Sequence, residues 1–304
     1  MILIANKTCG INFAPFATAL TSPMSPLLAA LKMLRPLNLL LGALAVLISA
    51  ALMPAWPAWG AIGPAMVVVA AFNAGANALN DWFDYAVDKV NRPHRPLVSG
   101  SLPRWAGLGL AVVLFAIGAL TAAQLPLPAR NIALYLALPA LVLYTPLFKG
   151  LPLLGNFMVA GILGLTFLFA GAAFGNLAAL WIPAGLAAGF NVLRELVKDI
   201  QDVAGDGREG VGTFPVRFGV PAAIKVAQAE TLLLMFACLL PYISGAYGAT
   251  YLITLIVGVE LPLTYCLHYL VKHPDPAGGG WVAKVLKVDI FAGLLAVYLS
   301  KFDV

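Results

Sequence analysis

The stretch NAGANALNDWFDYAVDKVNRPHRP, residues 73–96, decides the fold of this 304-residue chain. Within it Asn77, Asp81, Asp84 and Asp88 follow one another at steps of four, three and four residues. At about 100° per residue on an α-helix, these positions lie at about 0°, 40°, 340° and 20° around the axis. The spacing therefore predicts a helix that carries four oxygen-bearing side chains in one narrow stripe.

The same polar pattern returns 118 residues later, where Glu195 corresponds to Asn77 and Asn191 to Asn73. The three aspartates of the first stripe also have counterparts at this offset, which are Asp199, Asp202 and Asp206. One offset that reproduces five polar positions indicates an internal duplication. We therefore expect one acidic half-site in each half of the molecule.

The composition of the chain is that of a membrane protein. Hydrophobic residues make up 62% of it and charged residues only 10%, and the mean hydropathy is +0.93. Soluble domains carry about 25% charged residues. The three cysteines show no paired spacing, so the sequence supports neither a disulfide framework nor a zinc site.

Long apolar runs predict an all-α membrane protein with nine transmembrane helices. The duplication divides them into two four-helix repeats, at about 36–150 and 153–272, with an extra helix at about 282–301. Residues 1–30 lack the order of a cleaved signal peptide, and we expect an interfacial or poorly ordered segment. Residues 31–304 then form a single transmembrane domain. The expected spans are about 36–53, 60–80, 105–124, 130–147, 153–175, 179–200, 220–243, 247–271 and 282–301.

The basic residues predict how the chain is oriented in the membrane. With nine spans, 16 of the 18 lysines and arginines fall on one face, and the other face keeps only Arg130 and Lys301. By the positive-inside rule the charged face is cytoplasmic. Both acidic stripes lie at the cytoplasmic ends of their spans, so the repeat is parallel.

Six of the nine aspartates of the chain belong to the two stripes. An acid at a helix end is commonly solvated or paired with a nearby lysine or arginine. Several acids on one face of a membrane helix instead require a water-filled cavity, a counter-cation or both. Oxygen ligands without clustered histidine or cysteine favour a hard ion, Mg²⁺ above all.

Mg²⁺ usually shares its shell with phosphate oxygens, so two facing half-sites that hold roughly two or three ions could bind a diphosphate. Basic residues on the same face fit that picture, although each alone is more often a topogenic or headgroup-facing cation. The relevant ones are Arg35, Lys89, Arg92, Arg95, Lys149, Arg194 and Lys198. The chemistry that this favours is loss of diphosphate from an allylic lipid, with Tyr144 placed to stabilise the allylic cation through its ring.

Several motifs resemble those of the UbiA-type intramembrane prenyltransferases. The first stripe followed by NRPHRP is similar to the family's first signature, and DIQDVAGD at 199–206 is similar to its second. YTPLFK at 144–149 and RPLN at 35–38 also match family motifs. The resemblance covers nearly the whole chain after residue 30. It implies a barrel-like bundle of nine helices, Mg²⁺ dependence, and transfer of a prenyl group from an isoprenyl diphosphate to an acceptor.

The resemblance also implies roles for individual residues. Binding of metal and diphosphate carries over to Asn77, Asp81, Asp84, Asp88, Asp199, Asp202 and Asp206, and a catalytic role is expected for these six aspartates and for Tyr144. Contacts with the diphosphate or the acceptor carry over to Arg35, Asn38, Arg92, Arg95, Tyr144, Lys149 and Lys198.

The acceptor is left open by the sequence. The run from Arg194 to Gly219 most resembles the branch that makes archaeal ether lipids, which prenylates the free hydroxyl of geranylgeranylglycerol phosphate. Members that prenylate an aromatic ring, such as 4-hydroxybenzoate or a chlorophyll-type precursor, share the aspartates. A divalent-cation transporter is a more distant alternative, since such a site normally lies near the middle of the membrane. We expect membrane lipids around the chain, and neither a nucleic acid nor a protein partner is implied.

Overall fold

The computed structural model describes residues 25–303, and this part of the chain forms helices and connecting turns without a β-strand. Most of the predicted interfacial segment, residues 1–24, lies outside the described residues. The helices in chain order are α1 (Pro26–Leu34), α2 (Pro36–Ala51), α3 (Trp59–Phe83), α4 (Tyr85–Asn91), α5 (Arg104–Ala122), α6 (Leu127–Phe148), α7 (Leu154–Ala173), α8 (Trp181–Arg208), α9 (Phe214–Phe218), α10 (Val220–Ile243), α11 (Ala249–Lys272) and α12 (Pro276–Leu299).

Six helices of the described chain are long and apolar enough to cross a membrane, namely α3, α5, α6, α7, α10 and α11. Helices α1 and α2 together would make a seventh span, with a bend of 47° between them. Helices α8 and α12 are as long but carry charged residues, which lie in the second half of α8 and in the middle of α12. Each of the nine predicted spans overlaps one of these helices, and how many of them cross the membrane stays a prediction.

The corner between α1 and α2 is fixed by its local sequence. Arg35 adopts φ 56°, a left-handed conformation that is uncommon outside glycine. This residue ends α1, and Pro36 begins α2, where a missing N–H has no cost. The corner turns the Arg35 side chain toward α3, where it meets the first acidic stripe.

Two hydrophobic cores hold the helices together. One is formed mainly by α8, α10, α11 and α12, and the other by α2, α3, α6 and α7. Small residues allow helices to approach closely, as is usual in membranes. A Cβ on Gly164 of α7 would lie 2.6 Å from the carbonyl oxygen of Ala184 on α8. A cavity of about 180 Å³ lies between the two cores and is lined by residues from helices of both, namely α2, α3 and α7 on one side and α8, α10, α11 and α12 on the other.

Candidate active site

The first acidic motif lies at the end of α3 and in the short helix α4. Asn77 and Asp81 are buried on α3, and Asp88 is buried on α4. Asp84 occupies the junction, so the single helix predicted for the stripe is interrupted at this residue. The interruption is slight, because the N–H of Asp84 still donates to the carbonyl of Asn80 at 2.8 Å.

Two arginines bind the buried members of this motif. Arg35 donates to Asn77 Oδ1 at 3.0 Å and to Asp81 Oδ1 at 2.6 Å. Arg95, which follows α4, donates to Asp81 at 2.9 Å and also to Asp88. Because one guanidinium contacts both aspartates, their carboxylates lie on the same side of the motif despite the helix break.

The end of α6 supplies a third cation. Lys149 donates to Asp84 Oδ1 at 2.6 Å. The preceding turn, Tyr144–Phe148, is π-helical, and such turns often occur at functional sites. It places Tyr144 within electrostatic range of Asp84 and of Asp199 in the second motif. The YTPLFK segment therefore lies beside both motifs.

The second motif lies on α8, which runs from Trp181 to Arg208 without a break. Its first member, the buried Glu195, accepts from Arg194 at 3.0 Å and from Lys198 at 2.5 Å. Lys198, predicted to bind substrate, is thus already paired with an acid of its own helix.

Neutral groups hold two of the other acids of α8. The side-chain amide of Asn156 on α7 donates to Asp199 Oδ2 at 2.8 Å. The hydroxyl of Thr213 donates to Asp206 Oδ2 at 3.4 Å. These two carboxylates consequently have no directly bonded cation among the described residues.

The two motifs meet through α4 and α8. Arg92 donates to both oxygens of Asp202, at 2.8 and 2.6 Å. The side chain of Asn91 accepts from the N–H of Gly205 and donates to the carbonyl of Asp202, both at 3.0 Å. A Cβ on Gly205 would lie 2.3 Å from the Asn91 amide, so this approach requires glycine. The structure therefore brings the two predicted half-sites together on one side of the bundle.

Two aspartates that lie beyond the predicted spans, Asp88 and Asp206, have raised pKa values. Burial raises the pKa of Asp88 to about 6, although Arg95 opposes the shift. Burial also raises the pKa of Asp206 to about 6, with Lys149 opposing it and the charges of Asp202 and Asp84 adding to it. The influence of Asp84 and Lys149 on Asp206 shows that the first motif lies within electrostatic range of the second.

The residues of the two motifs suit a hard divalent ion that shares its ligands with a phosphate. In the described chain no three acidic, histidine or cysteine side chains converge closely enough to hold a metal by themselves. Most of the carboxylates of the two motifs instead accept from arginine or lysine, as the ion pairs above show. A bound diphosphate would attract those cations and release the carboxylates for Mg²⁺, which takes few carboxylates and completes its shell with water and phosphate oxygens.

Asn38 does not join either motif. It lies on α2 and lines the cavity between the two cores, and its carbonyl oxygen accepts from Asn73 at 3.4 Å. The predicted contact of Asn38 with a substrate would therefore be made in the cavity and not at the acidic motifs. The roles of the individual site residues stay predictions.

The structure adds residues that the sequence analysis missed. Asn156 and Thr213 bind acids of the second motif directly. The offset of 118 could have pointed to both residues. Asn156 corresponds to Asn38 and Thr213 corresponds to Arg95, and both of these had been predicted as site residues of the first half. Lys287 on α12, which lines the cavity, gave no such signal.

Comparison with known proteins places the chain among prenyltransferases. Residues 39–281 match the UbiA prenyltransferase family. A protein of Haloquadratum walsbyi named digeranylgeranylglyceryl phosphate synthase is 42% identical over 193 residues, 62% of this chain and 66% of that protein, just under two thirds of its length. A protein of the same name from Natronomonas pharaonis is 36% identical over 241 residues, which cover 79% of this chain and 84% of that protein.

Solved structures share the fold. A digeranylgeranylglyceryl phosphate synthase structure superposes with a TM-score of 0.70 at 28% identity and covers 92% of this chain and 99% of its own. A UbiA homologue from Archaeoglobus fulgidus, solved with DMAPP and Mg²⁺, superposes with a TM-score of 0.56 at 16% identity and covers 88% of this chain and 99% of its own.

Proposed function

Because the chain belongs to the UbiA prenyltransferase family, and is thus a multi-pass membrane transferase, we propose that its acceptor is geranylgeranylglycerol phosphate. The prenyl group, most simply geranylgeranyl, comes from an isoprenyl diphosphate and goes to the free hydroxyl of that lipid in a Mg²⁺-dependent reaction. The observation that carries the prenyl-transfer part of the proposal is the bridge from Arg92 to Asp202, which joins the two acidic motifs at one site. The names of the relatives support this acceptor.

Each part of the site has a role in this reaction. The donor diphosphate lies between the motifs, where Arg35, Arg92, Arg95 and Lys149 bind its oxygens. The carboxylates of both motifs and the amide oxygen of Asn77 would hold Mg²⁺, roughly two or three ions, and the metal would supply charge neutralisation for the leaving group. Tyr144 would face the developing allylic cation with its ring.

The bond changes balance without a further reactant. The C–O bond between the prenyl carbon and the diphosphate breaks, and the oxygen of the acceptor hydroxyl forms the new C–O bond. The hydroxyl proton leaves to the released diphosphate or to water. The apolar bundle excludes water from the allylic cation until the acceptor attacks.

The nine-span count and the repeat belong to the same proposal. Two features of the backbone support a duplication at the offset of 118. The two non-glycine residues with positive φ in the described chain, Arg35 and Leu153, are separated by this offset. Helices α2 and α7 also begin at equivalent positions, Pro36 and Leu154. The halves are then 36–150 and 153–272 within one domain of residues 31–304, and α12 is the extra helix.

The aspartate motifs face the cytoplasm in this proposal. Its support is the distribution of lysine and arginine, which follows the positive-inside rule only with the motifs on that side. A substrate made in the cytoplasm then reaches the site without crossing the membrane.

The test uses purified protein, labelled geranylgeranyl diphosphate and two acceptors, geranylgeranylglycerol phosphate and 4-hydroxybenzoate. We expect a labelled ether lipid from the first acceptor, no product from the second, and loss of both product and diphosphate release with EDTA. Prenylated 4-hydroxybenzoate would establish the aromatic alternative instead. Product formation that is insensitive to EDTA would contradict the role of Mg²⁺.

A further inference from the structure

The cavity between the two cores is mostly apolar but carries two cations. Its wall is formed by side chains such as Leu41, Phe167 and Phe190. Arg194 of α8 and Lys287 of α12 line the same cavity. Both side chains are half-buried, and a cation that loses part of its water costs free energy unless an anion or hydrogen-bond acceptor compensates for that loss. The pair therefore needs an explanation beyond packing.

The described part of the chain supplies these two cations with only one acid, Glu195. Lys287 makes no hydrogen bond and no ion pair with any residue in the described range 25–303. Arg194 contacts Glu195, but Lys198 shares that carboxylate, and the buried Nε of Arg194 has no partner. Two cations of α8 thus depend on one acid, and Lys287 adds a third positive charge.

Asp289, an acid that lines the same cavity, does not pair with either cation, so the excess of positive charge remains. Asp289 also borders the cavity, yet its two buried oxygens accept no hydrogen bond from any described residue. It lies two residues after Lys287, about 200° around the helix, so the two side chains leave α12 on different sides. The ammonium group of Lys287 and the Nε of Arg194 consequently have no hydrogen-bond partner among the described residues and can bind an anion from outside the protein.

The position of the pair suits the headgroup of a lipid. Lys287 lies within electrostatic range of Arg35, which begins the first predicted span, and Asn38 of the same helix lines the cavity. Arg194 precedes Asp199 by five residues, which is about 7.5 Å along the axis of α8. An anion here lies near the acidic motifs but apart from them, and the apolar cavity wall can accommodate its hydrocarbon chain.

We propose that Arg194 and Lys287 bind the phosphate monoester of the acceptor lipid, at a place separate from the donor diphosphate. The proposal rests on the function proposed above, because it assigns a site to the phosphate of that acceptor. A guanidinium and an ammonium group together match a phosphate dianion with charge-assisted hydrogen bonds. The same phosphoester chemistry occurs in the donor diphosphate, so the experiment must separate the two sources.

Binding is measured with the full-length protein in lipid nanodiscs, without Mg²⁺ and without prenyl diphosphate. The probes are geranylgeranylglycerol phosphate and the phosphate-free geranylgeranylglycerol. Lys287→Ala and Arg194→Gln should each weaken binding of the phosphate lipid by about tenfold or more and leave the phosphate-free lipid unchanged. Lys284→Ala, on an exposed position of the same helix, is the matched control and should bind both lipids like the wild type.

Steady-state kinetics separates acceptor from donor. Lys287→Ala should raise the KM for the acceptor and leave the KM for geranylgeranyl diphosphate unchanged, and Lys287→Arg should restore most of the acceptor affinity. A rise only in the KM for the diphosphate would overturn the assignment to the acceptor. Equal weakening of both lipids would indicate a structural role, and behaviour like Lys284→Ala would also refute the site. Wild-type protein that binds the phosphate lipid selectively but transfers no prenyl group would instead contradict the proposed function while leaving the site intact.

Discussion

The two acidic motifs hold their carboxylates by different means. In the first motif Asp81 and Asp88 share the guanidinium of Arg95. In the second motif Asp199 accepts from the amide of Asn156, and Asp206 accepts from the hydroxyl of Thr213. The carboxylates recur at the offset of 118, but the types of residue that bind them do not, since Thr213 stands at the position that corresponds to Arg95.

This difference predicts separate roles for the two halves in binding metal and diphosphate. The arginines beside the first motif neutralise its acids, and in the proposed function they bind the diphosphate. Among the described residues only neutral donors contact Asp199 and Asp206, so a divalent ion that binds there has no arginine to displace, unlike at a carboxylate already paired with arginine. We therefore expect the second motif to contribute more to metal affinity and the first to contribute more to diphosphate affinity.

Removing one central carboxylate from each motif should have the largest effect. Asp81→Asn and Asp199→Asn should each lower kcat/KM by about 10²–10³ or more, because both positions would hold metal against the diphosphate. Their thermal stabilities should differ. Asp81→Asn leaves Arg35 and Arg95 without a shared carboxylate and should lower Tm, whereas Asp199 is bonded only to a neutral amide.

The measurements are prenyl transfer with labelled diphosphate and thermal unfolding in the same detergent. Glu209→Gln, an exposed acid just after α8, serves as the control and should match the wild type in both. Near-normal transfer by Asp199→Asn would contradict the role of the second motif. Equal loss of Tm in both variants would remove the electrostatic distinction between the halves.

Breaking the contact between the halves should have the next largest effect. Arg92 is the side chain of the first half that binds an acid of the second, at 2.6 Å from Asp202. Arg92→Ala should lower kcat/KM by about 10²-fold and raise the KM for the diphosphate, and Arg92→Lys should recover only part of the loss because lysine lacks the paired donors. Arg208→Ala, at the exposed end of α8, is the control. A change in kcat/KM no larger than that of Arg208→Ala would show that the bridge is only structural.

The sequence could predict those features of the site that follow from helical periodicity, and it could not predict those that depend on packing. The stripe from Asn77 to Asp88 and its copy on α8 could be predicted because helical spacing fixes which side chains share a face. The break at Asp84 could not, because it depends on local packing rather than on spacing.

The partners of the acids were harder to predict than the acids. Lys149 and Arg92 were expected near the diphosphate, but their contacts with Asp84 and Asp202 depend on how helices pack across the bundle. Lys287 was missed for the same reason, since it lies on α12, outside the repeat. The all-helical membrane fold followed directly from composition, whereas the number of membrane crossings requires knowing how the charged helices α8 and α12 sit in the bilayer.

A smaller effect is expected from the neutral donor on Asp199. Asn156→Ala removes the amide that orients this carboxylate, and such supporting groups typically contribute about 10–100-fold to metal affinity. The apparent Mg²⁺ affinity of transfer should fall by about tenfold, with little change in the KM for the diphosphate. Asn38→Ala, at the equivalent position of the first half, should instead affect the acceptor and leave the Mg²⁺ dependence unchanged. Identical Mg²⁺ titrations for wild type and Asn156→Ala would contradict the assignment of Asp199 to metal.

The smallest effect should come from Thr213, and it should depend on pH. Burial raises the pKa of Asp206 to about 6, and the hydroxyl of Thr213 lowers it by favouring the charged carboxylate. Thr213→Val removes that bond and should raise the pKa of Asp206 further, so that protons compete with Mg²⁺ at a higher pH. The apparent Mg²⁺ affinity should therefore change little at pH 8, where the carboxylate is charged in both proteins, and fall by about threefold at pH 6.

Thr254→Val is the control, because its hydroxyl donates only to a carbonyl oxygen of α11. Arg95, the counterpart of Thr213 in the first half, binds two acids with a full charge, so Arg95→Met should impair transfer at every pH between 6 and 8. If Thr213→Val also lost Mg²⁺ affinity equally across this range, the hydroxyl would be acting on the shape of the site rather than on the charge of Asp206. The two halves would then differ in the strength of their supporting contacts and not in their electrostatics.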